Sequence, residues 1–391
     1  MSLNKSPEPS SPPTSKPESQ HAERLVQENE QEALSSFRFR RILIPLLIGI
    51  GVLGYAGYQL VQDGLNPITD IPWDGWVLGM IGLGFLFMAI RDLGYVWRMR
   101  LLTDQQLSWR ASTEVTLLWE FASAASPSIV GGSAVGIYLL IKEKISAGRT
   151  TAIIFITIFL DELFYILSIP TVMLFADQEA IFAPMQGESS SFLGAGMVVG
   201  FWIAYGILVA YTFFLAFALF IKPEKTSQLV RWLFSTRLFR KWKDGGQKTA
   251  EELLTAAKEF QTRSLVYWLK TFFATSLAWM GRYLVLNCVL AAFVVMSWSE
   301  HVVAFTRQTV MFVLMLVSPT PGSSGIAETV FGRLFSEYAN RADHLPPDMV
   351  EGVGFVWLLA SIWRLITYYP YLFIGIPLMS IWVRRVNRKS K

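Results

Sequence analysis

Long runs of apolar residues divide the chain into segments that fit a lipid bilayer. A single helix needs about 20 residues to cross the hydrocarbon core, and six runs are long enough: 42–62, 76–97, 151–175, 192–221, 265–296 and 352–382. Residues 1–36 are instead rich in Pro, Ser and Glu, which predicts a disordered cytoplasmic tail. The pattern therefore predicts an all-α polytopic membrane protein, with one transmembrane domain over residues 37–391.

Two further apolar regions, 115–141 and 302–335, are interrupted near their centres by Pro, Gly and Ser. Proline removes a backbone donor and clashes with the preceding turn, while glycine adds backbone freedom, so neither region forms one continuous helix. We expect two half-helices in each region. The breaks between them fall at 126–132 and at 318–325.

The distribution of Lys and Arg indicates on which side each segment begins and ends, because these residues collect in cytoplasmic loops. Basic residues flank region 115–141 at both ends, whereas Arg341 is the single basic residue in the loops beside region 302–335. We therefore expect the first region to enter and leave from the cytoplasm and the second to dip in from outside. Both chain termini should be cytoplasmic.

With the segments assigned to these membrane sides, the chain contains an internal repeat whose second copy has the reverse orientation in the membrane. A span, a re-entrant hairpin and a span over 76–175 are followed, after the connector 176–264 with its basic cytoplasmic segment, by the same order over 265–382. Inverted repeats with helices broken near the bilayer midplane are typical of transporter sites. The alternative is a pair of unrelated kinked helices.

Composition narrows the chemistry. Of the 391 residues, 52% are hydrophobic and only 16% are charged, whereas soluble domains carry about 25% charged residues. One cysteine and three scattered histidines argue against a disulfide framework or a metal-dependent enzyme. The net charge is +4, and the basic residues are not concentrated in one domain, so we predict no nucleic-acid partner. We also predict no cofactor.

Four charged residues lie near the centres of predicted spans: Asp161, Glu162, Arg282 and Arg364. Each costs at least ~2.5–3.5 kcal/mol to insert, so such residues mark function by default. One interpretation is a pair of buried salt bridges that fix helix packing. In the other, the arginines bind a phosphate through their forked donors, and an acidic residue handles a proton or orients the substrate.

The half-helices that follow the two breaks should begin at about Ser133 and Gly325. A helix N-terminus presents free N–H groups and positive partial charge to an anion, so two such ends would frame one central site. Glu328 could cap its own half-helix or act with Asp161 and Glu162 on a proton or on substrate orientation. The predicted substrate-binding set is Arg282, Arg364, Ser126, Ser128, Gly131, Gly132, Ser133, Thr320, Gly322, Ser323, Ser324 and Gly325.

Three motifs carry a family resemblance: Ser126-Pro127-Ser128 through Gly131-Gly132 to Ile137-Tyr138-Leu139-Leu140, Asp161 with Leu163-Phe164-Tyr165, and Pro319-Thr320-Pro321-Gly322 through Gly325-Ile326-Ala327-Glu328. Over about 40–390 the chain resembles the flippase-like family built on the transmembrane region of lysylphosphatidylglycerol synthases. The resemblance implies movement of a phospholipid or polyprenyl-linked lipid across the bacterial cytoplasmic membrane. Members that also make aminoacylated lipid carry a large soluble domain after the spans, so synthase activity is not expected for a chain that stops at Lys391.

Three functional hypotheses follow from these residues. The leading one is a non-enzymatic flippase, in which an anionic lipid headgroup slides into a polar cavity between the hairpins. The second is a membrane enzyme that modifies lipid headgroups with Asp161 and Glu162 as an acid–base pair. The third is a non-catalytic membrane subunit whose broken helices dock a partner.

Overall fold

The structure, a computed structural model, describes residues 73–125, 129–176, 178–186, 192–235, 243–315, 326–339 and 353–389, with scattered residues at 47–71, 320, 323 and 341. In these ranges every regular element is a helix, as the apolar pattern predicts. The predicted tail, 1–36, lies outside the described residues.

The helices follow one another with short connections. In chain order they are α1 (Gly75–Leu102), α2 (Trp109–Ala125), α3 (Ile129–Lys142), α4 (Ala147–Met173), α5 (Gln178–Gln186), α6 (Phe192–Ala216, continued by a π-helical turn over Phe217–Ile221), α7 (Pro223–Ser235), α8 (Lys243–Gln261), α9 (Leu265–Ala291), α10 (Trp298–Met315), α11 (Ile326–Ala339), α12 (Val353–Thr367) and α13 (Tyr369–Lys389).

Five helical stretches among the described residues are long and apolar enough to cross a membrane: Gly75–Leu102, Gly148–Met173, Val198–Ile221, Leu265–Ala291 and Gly354–Val386. They correspond to five of the six predicted spans. The remaining span, 42–62, falls largely outside the described residues, although those described between Leu47 and Gln62 are helical.

Two predicted boundaries change in the structure. Helix α1 continues to Leu102, so Arg98 and Arg100 belong to the helix itself rather than to a flanking loop. The last predicted span is divided into α12 and α13 at Tyr368. Pro370 accounts for this break because proline cannot donate a backbone hydrogen bond and disfavours helical geometry in the residue before it.

Each broken region folds back on itself as two antiparallel helices. In the first, Gly132 faces Ser123 and Gly136 faces Trp119, so positions approach in reverse order along α2 and α3. A Cβ atom at Gly136 would lie 3.0 Å from the Trp119 ring. These glycines therefore allow two helices to pack closely.

The second broken region has the same antiparallel arrangement. Midway along both helices, Arg307 donates a hydrogen bond from its Nη1 to the Leu334 carbonyl over 3.0 Å. At the far end, the Tyr338 hydroxyl donates to the Glu300 carbonyl over 3.3 Å. Helices α10 and α11 are thus tied midway along their length and at the ends away from the break.

One predicted helix start in these hairpins is wrong. The second half-helix of the first hairpin begins at Ile129 rather than at Ser133, so Gly131, Gly132 and Ser133 lie inside α3. The helix starts earlier because its glycines are used for close packing against α2 and do not interrupt it. In the second hairpin α11 begins at Ile326, one residue after the predicted start.

Helices α1 and α9 form an antiparallel pair at the centre of the bundle. A Cβ atom at Gly94 would lie 2.8 Å from the Ala274 carbonyl oxygen, and one at Gly281 would lie 2.8 Å from the Phe87 carbonyl oxygen. The two backbones can approach this closely only because both positions are glycine. Two glycines therefore set the distance between the central helices.

The contacts around this central pair come in matching sets. Helix α1 packs on α2, α2 on α3, and α3 on α4, just as α9 packs on α10, α10 on α11, and α11 on α12. Across the molecule, α4 packs on α9 and α10, while α12 packs on α1 and α13 packs on α2. The sequential contacts of the two halves therefore correspond, whereas α9 also packs on α12 without a comparable contact between α1 and α4.

Helix ends predicted to share a membrane side are close together in the structure. Arg385 near the C-terminus bonds Glu114 of α2 over 2.5 Å and also pairs with Glu143 after α3. Asp104 in the loop after α1 pairs with both Arg149 and Arg263. All of these loops are predicted to be cytoplasmic.

The predicted outer end has its own network. Ser297 and Glu300 form a capping box at the start of α10, with the Ser297 N–H donating to Glu300 Oε2 over 2.7 Å. Arg341, which follows α11, pairs with Glu300. Hydrogen bonds from Arg341 and Ser297 lower the pKa of Glu300 to about 2, so this carboxylate stays ionised at neutral pH.

Candidate functional site

Two of the predicted site residues form a buried ion pair. Arg364 of α12 donates from Nε to Glu328 Oε1 over 2.8 Å, and the two residues are only 5% and 2% exposed. Glu328 is the third residue of α11, directly after the second break. About 15 Å of helix separates Arg364 from Gly354, the start of its span, which is half the thickness of the hydrocarbon core.

The same segment of α12 also reaches the first hairpin. Tyr368, four residues after Arg364, donates its hydroxyl proton to the Ala124 carbonyl over 2.9 Å. Ala124 lies next to the end of α2, just before the first break. The Arg364 guanidinium carbon in turn lies 4.9 Å from the centre of the Tyr368 ring. Arg364 and Tyr368 therefore connect the two predicted breaks.

The remaining predicted residues of the breaks are placed only in part. Ser126, Ser128, Gly322, Ser324 and Gly325 lie outside the described residues. Thr320 and Ser323 form a turn, with the Ser323 N–H donating to the Thr320 carbonyl over 3.0 Å and Ser323 adopting a φ of 55°.

Arg282, the other predicted phosphate ligand, has a different environment. It lies half-buried on α9, with its guanidinium carbon 5.8 Å from the Trp279 ring and 5.9 Å from the Phe312 ring. Among the described residues these two rings are its contacts, and no carboxylate lies within ion-pair distance. The interpretation in which the four mid-span charges pair with one another is wrong, since Arg364 pairs with Glu328 and Arg282 has no carboxylate partner among the described residues.

Asp161 pairs instead with Arg98 of α1, a residue that sequence analysis placed at the end of a span. Arg98 Nη1 donates to Asp161 Oδ1 over 2.5 Å and to Thr275 Oγ1 over 3.2 Å. The indole N–H of Trp279 donates to the same Asp161 oxygen over 2.9 Å. Asp161 therefore connects α4 to both central helices.

A third arginine–carboxylate cluster lies about two helical turns before Arg98 on α1. Arg91, which is 1% exposed, donates to Glu120 of α2 over 2.5 Å and to Asp92 over 2.8 Å. The hydroxyl of Tyr371 on α13 is 2.7 Å from the same Arg91 nitrogen and donates to Asp92 over 2.7 Å. This cluster holds the first hairpin against α1 and the last span.

A single tyrosine joins the two arginines of α1. The guanidinium carbons of Arg91 and Arg98 each lie 4.6 Å from the centre of the Tyr95 ring. The spacing of these three residues, with Tyr95 four positions after Arg91 and three before Arg98, places them on one face of a helix. That spacing is the sequence signal that could have identified Arg91 and Arg98 as members of the buried arginine–carboxylate clusters.

Glu162 differs from the other acidic site residues. It is half-buried on α4, and its Oε2 atom is buried without a hydrogen-bond partner. Asp161, its neighbour, faces Arg98 and Trp279, whereas Glu162 interacts electrostatically with Tyr211 of α6. The two carboxyl groups therefore point toward different helices.

An open groove of about 440 Å³ lies between α1 and α9. Its walls are mainly apolar and include Trp97 and Phe273, whose ring centres are 6.0 Å apart. Lys270 and Ser276 supply its polar atoms. None of the predicted site residues lines this groove.

The apolar spans together with the buried arginine–carboxylate clusters define a multi-pass helical membrane protein with a charged centre. Residues 42–375 match the family described as the lysylphosphatidylglycerol synthase TM region. This match covers most of the chain, so the protein belongs to that family, and the resemblance seen in the motifs is confirmed.

A relative from Archaeoglobus fulgidus extends the comparison. The chain is 24% identical over 347 residues to a protein named "UPF0104 membrane protein" from that organism. The aligned region covers 85% of this chain and 93% of the relative.

Proposed function

We propose that the protein moves an anionic lipid, either a phospholipid or an isoprenoid-linked phosphate, across the bacterial cytoplasmic membrane. Its headgroup phosphate binds Arg364 and Arg282 in the membrane interior, while its acyl or prenyl chains stay in the bilayer. The position of Arg364 carries this proposal, because that guanidinium is buried beside Glu328 and reaches the first break through Tyr368.

The buried carboxylates are part of the proposed mechanism. In the resting protein Glu328 forms an ion pair with Arg364, and Asp161 forms an ion pair with Arg98. A phosphate offers the same forked acceptor geometry as a carboxylate, so a lipid headgroup can replace one partner without leaving an arginine uncompensated. Exchange between carboxylate and phosphate then makes binding and release reversible.

The packing supports the inverted repeat on which this proposal rests. The central helices α1 and α9 are antiparallel, and the sequential contacts from α1 to α4 have counterparts from α9 to α12. Each hairpin folds back within its own half, and its free ends meet loops predicted to share one membrane side. We infer two re-entrant hairpins from opposite sides, with both termini in the cytoplasm.

The observations favour this function over the two alternatives. An acid–base enzyme needs converging carboxyls, but Asp161 faces α1 and α9 while Glu162 faces α6. A purely structural centre would pair every mid-span arginine, but Arg282 contacts only aromatic rings within the described part of the chain. Such an unpaired arginine is costly in hydrocarbon and is compensated when it binds a phosphate.

The test uses purified protein in vesicles that contain fluorescent phosphatidylglycerol, with fluorescent phosphatidylcholine as the neutral comparison. Movement between leaflets is followed by quenching of the outer leaflet. Arg282→Gln should abolish movement of the anionic lipid because the unpaired guanidinium is removed. Arg364→Gln combined with Glu328→Gln should do the same without leaving a buried unpaired charge.

Arg333→Gln is the matched control, since Arg333 is exposed on α11 and lies outside the proposed site. It should keep wild-type movement. An added isoprenoid phosphate that slows phosphatidylglycerol movement would identify the isoprenoid as the preferred lipid. Unchanged movement in both site variants would overturn the proposal.

A further inference from the structure

Glu162 is an acidic residue deep in the membrane that the proposed anion site does not use. About 17 Å of helix separates it from Met173, the nearer end of its span. One of its carboxyl oxygens, Oε2, is buried and has no hydrogen-bond partner. This combination of depth and lack of partner distinguishes Glu162 from Asp161 and Glu328, which both pair with arginines.

The surroundings of Glu162 offer no compensating charge. Among the described residues, the titratable groups that act on it are Asp161 on its own helix and Tyr211 on α6. The other helices packed on α4, namely α3, α8, α9 and α10, bring no Lys, Arg or His of the described chain within ion-pair distance of it. The nearest acidic neighbour therefore repels a charge on Glu162, and no described group attracts one.

The free-energy balance at this position favours the neutral acid. An isolated carboxylate in a low-dielectric medium loses far more solvation energy than the protonated group, and it neutralises rather than remaining charged. Acidic residues inside membrane spans commonly serve as proton relays. We propose that Glu162 is a proton-binding site that couples lipid movement to the transmembrane proton gradient.

This inference rests on the proposed lipid transport and names the ion that drives it. Glu162 follows Asp161 directly on α4, so the proposed proton site lies beside the Arg98–Asp161 pair. The proton enters from water on one side, binds the carboxylate as an O–H bond, and leaves to water on the other side. No other bond changes in this step.

Carbodiimide labelling tests the site without any need for transport. A protonated carboxyl in an apolar environment adds to dicyclohexylcarbodiimide, its proton passes to the reagent nitrogen, and a stable acylurea remains. In the purified full-length protein, peptide mass spectrometry should locate this label on Glu162. Asp161 and Glu328 are internal controls that should remain unlabelled because their carboxyl oxygens are held in ion pairs with arginines.

The label should be lost in Glu162→Gln. Failure of Glu162 to react in the folded wild-type protein would overturn the proposal. Labelling of Glu162, Asp161 and Glu328 to the same extent would overturn it as well, because burial without a partner would then make no difference.

A transport measurement tests the coupling. In vesicles with an imposed pH gradient, wild-type movement of fluorescent phosphatidylglycerol should be faster than without the gradient. In Glu162→Gln the imposed gradient should no longer change the rate, so that movement with and without the gradient becomes equal. Acceleration that persists in Glu162→Gln would overturn the coupling. If the wild-type protein moves no lipid at all, the proposed function fails, and the labelling result alone decides whether Glu162 holds a proton.

Discussion

The buried pair between Arg364 and Glu328 makes a quantitative prediction at the scale of single residues. Arg364→Gln leaves Glu328, which is 2% exposed, as a buried charge whose arginine is gone. Removing one partner of a buried ion pair costs about 3–5 kcal/mol. We expect a loss of that size in the free energy of unfolding, measured in mixed micelles with increasing denaturing detergent.

The double variant Arg364→Gln with Glu328→Gln separates the effect of an unpaired buried charge on stability from the effect of the changed side-chain shapes. It removes both charges together, so most of the lost stability should return. Arg333→Gln, on the exposed side of α11, should change stability very little. Equal losses in the single and the double variants would show that the pair is not the source of the stability.

The sequence identifies which residues are unusual, but it does not identify their partners. Asp161, Arg282 and Arg364 all stand out as charges in apolar runs. Their partners depend on which helices meet, so the sequence places Arg98 only at the end of the predicted span 76–97, although it binds Asp161. Prediction of spans from apolar runs treats every buried arginine as costly. Burial of Arg98 costs less than that, because the Asp161 carboxylate, the Thr275 hydroxyl and the Tyr95 ring compensate its charge.

At the scale of helices, the contact between α1 and α9 depends on Gly94. A methyl group there would lie 2.8 Å from the Ala274 carbonyl oxygen, and backbone cannot move aside as a flexible side chain can. Gly94→Ala should force the two helices apart and lower the free energy of unfolding by about 1–3 kcal/mol, the usual cost of overpacking. Thermal unfolding in detergent measures this loss.

Gly82 on the same helix provides the matched control. A Cβ atom at Gly82 would meet nothing within 4 Å, so Gly82→Ala adds a methyl group without a clash. It should leave stability unchanged or raise it slightly, because alanine has the higher helix propensity. A similar loss in Gly82→Ala and Gly94→Ala would contradict the close-packing argument.

Glycine packing also explains why the start of α3 in the first hairpin was not predicted correctly from the sequence. In the first hairpin, Gly131 and Gly132 suggested a break up to Ser133, yet α3 begins at Ile129. Glycine weakens a helix by only about 1 kcal/mol, and close packing of Gly132 on Ser123 offsets that loss. Apolar runs therefore predict the helices, while the role of each glycine depends on its neighbours in space.

At the scale of the whole molecule, the remaining question is how the bundle sits in the bilayer. The structure joins the loop at 103–108 to the first turn of α4 through Asp104 and Arg149, and it joins the two free ends of the second hairpin through Glu300 and Arg341. The helix ends around the first group carry Arg100, Arg110, Lys142, Lys144 and Arg149, whereas Arg341 is the single basic residue in the loops beside the second hairpin. The first group should therefore face the cytoplasm and the second the outside.

Single cysteines and a membrane-impermeant maleimide test this arrangement in intact cells. The background is Cys288→Ala, because Cys288 is the single native cysteine. Ser299→Cys and Arg341→Cys, both at exposed positions, should react from outside. Gln106→Cys and Lys144→Cys, equally exposed, should react only after the cells are opened.

The pairs decide between a hairpin and a full crossing. Gln106 precedes the first hairpin and Lys144 follows it, so the two cysteines react from one side only if the hairpin returns to the side where it began. Ser299 and Arg341 bracket the second hairpin in the same way. If the two members of either pair react from opposite sides, that region spans the membrane, the inverted repeat is lost, and the two breaks no longer approach Arg364 from opposite faces. Reaction of each pair from a single side, with the two pairs on opposite sides, would place the Arg364–Glu328 pair between two re-entrant hairpins, as the proposed transport requires.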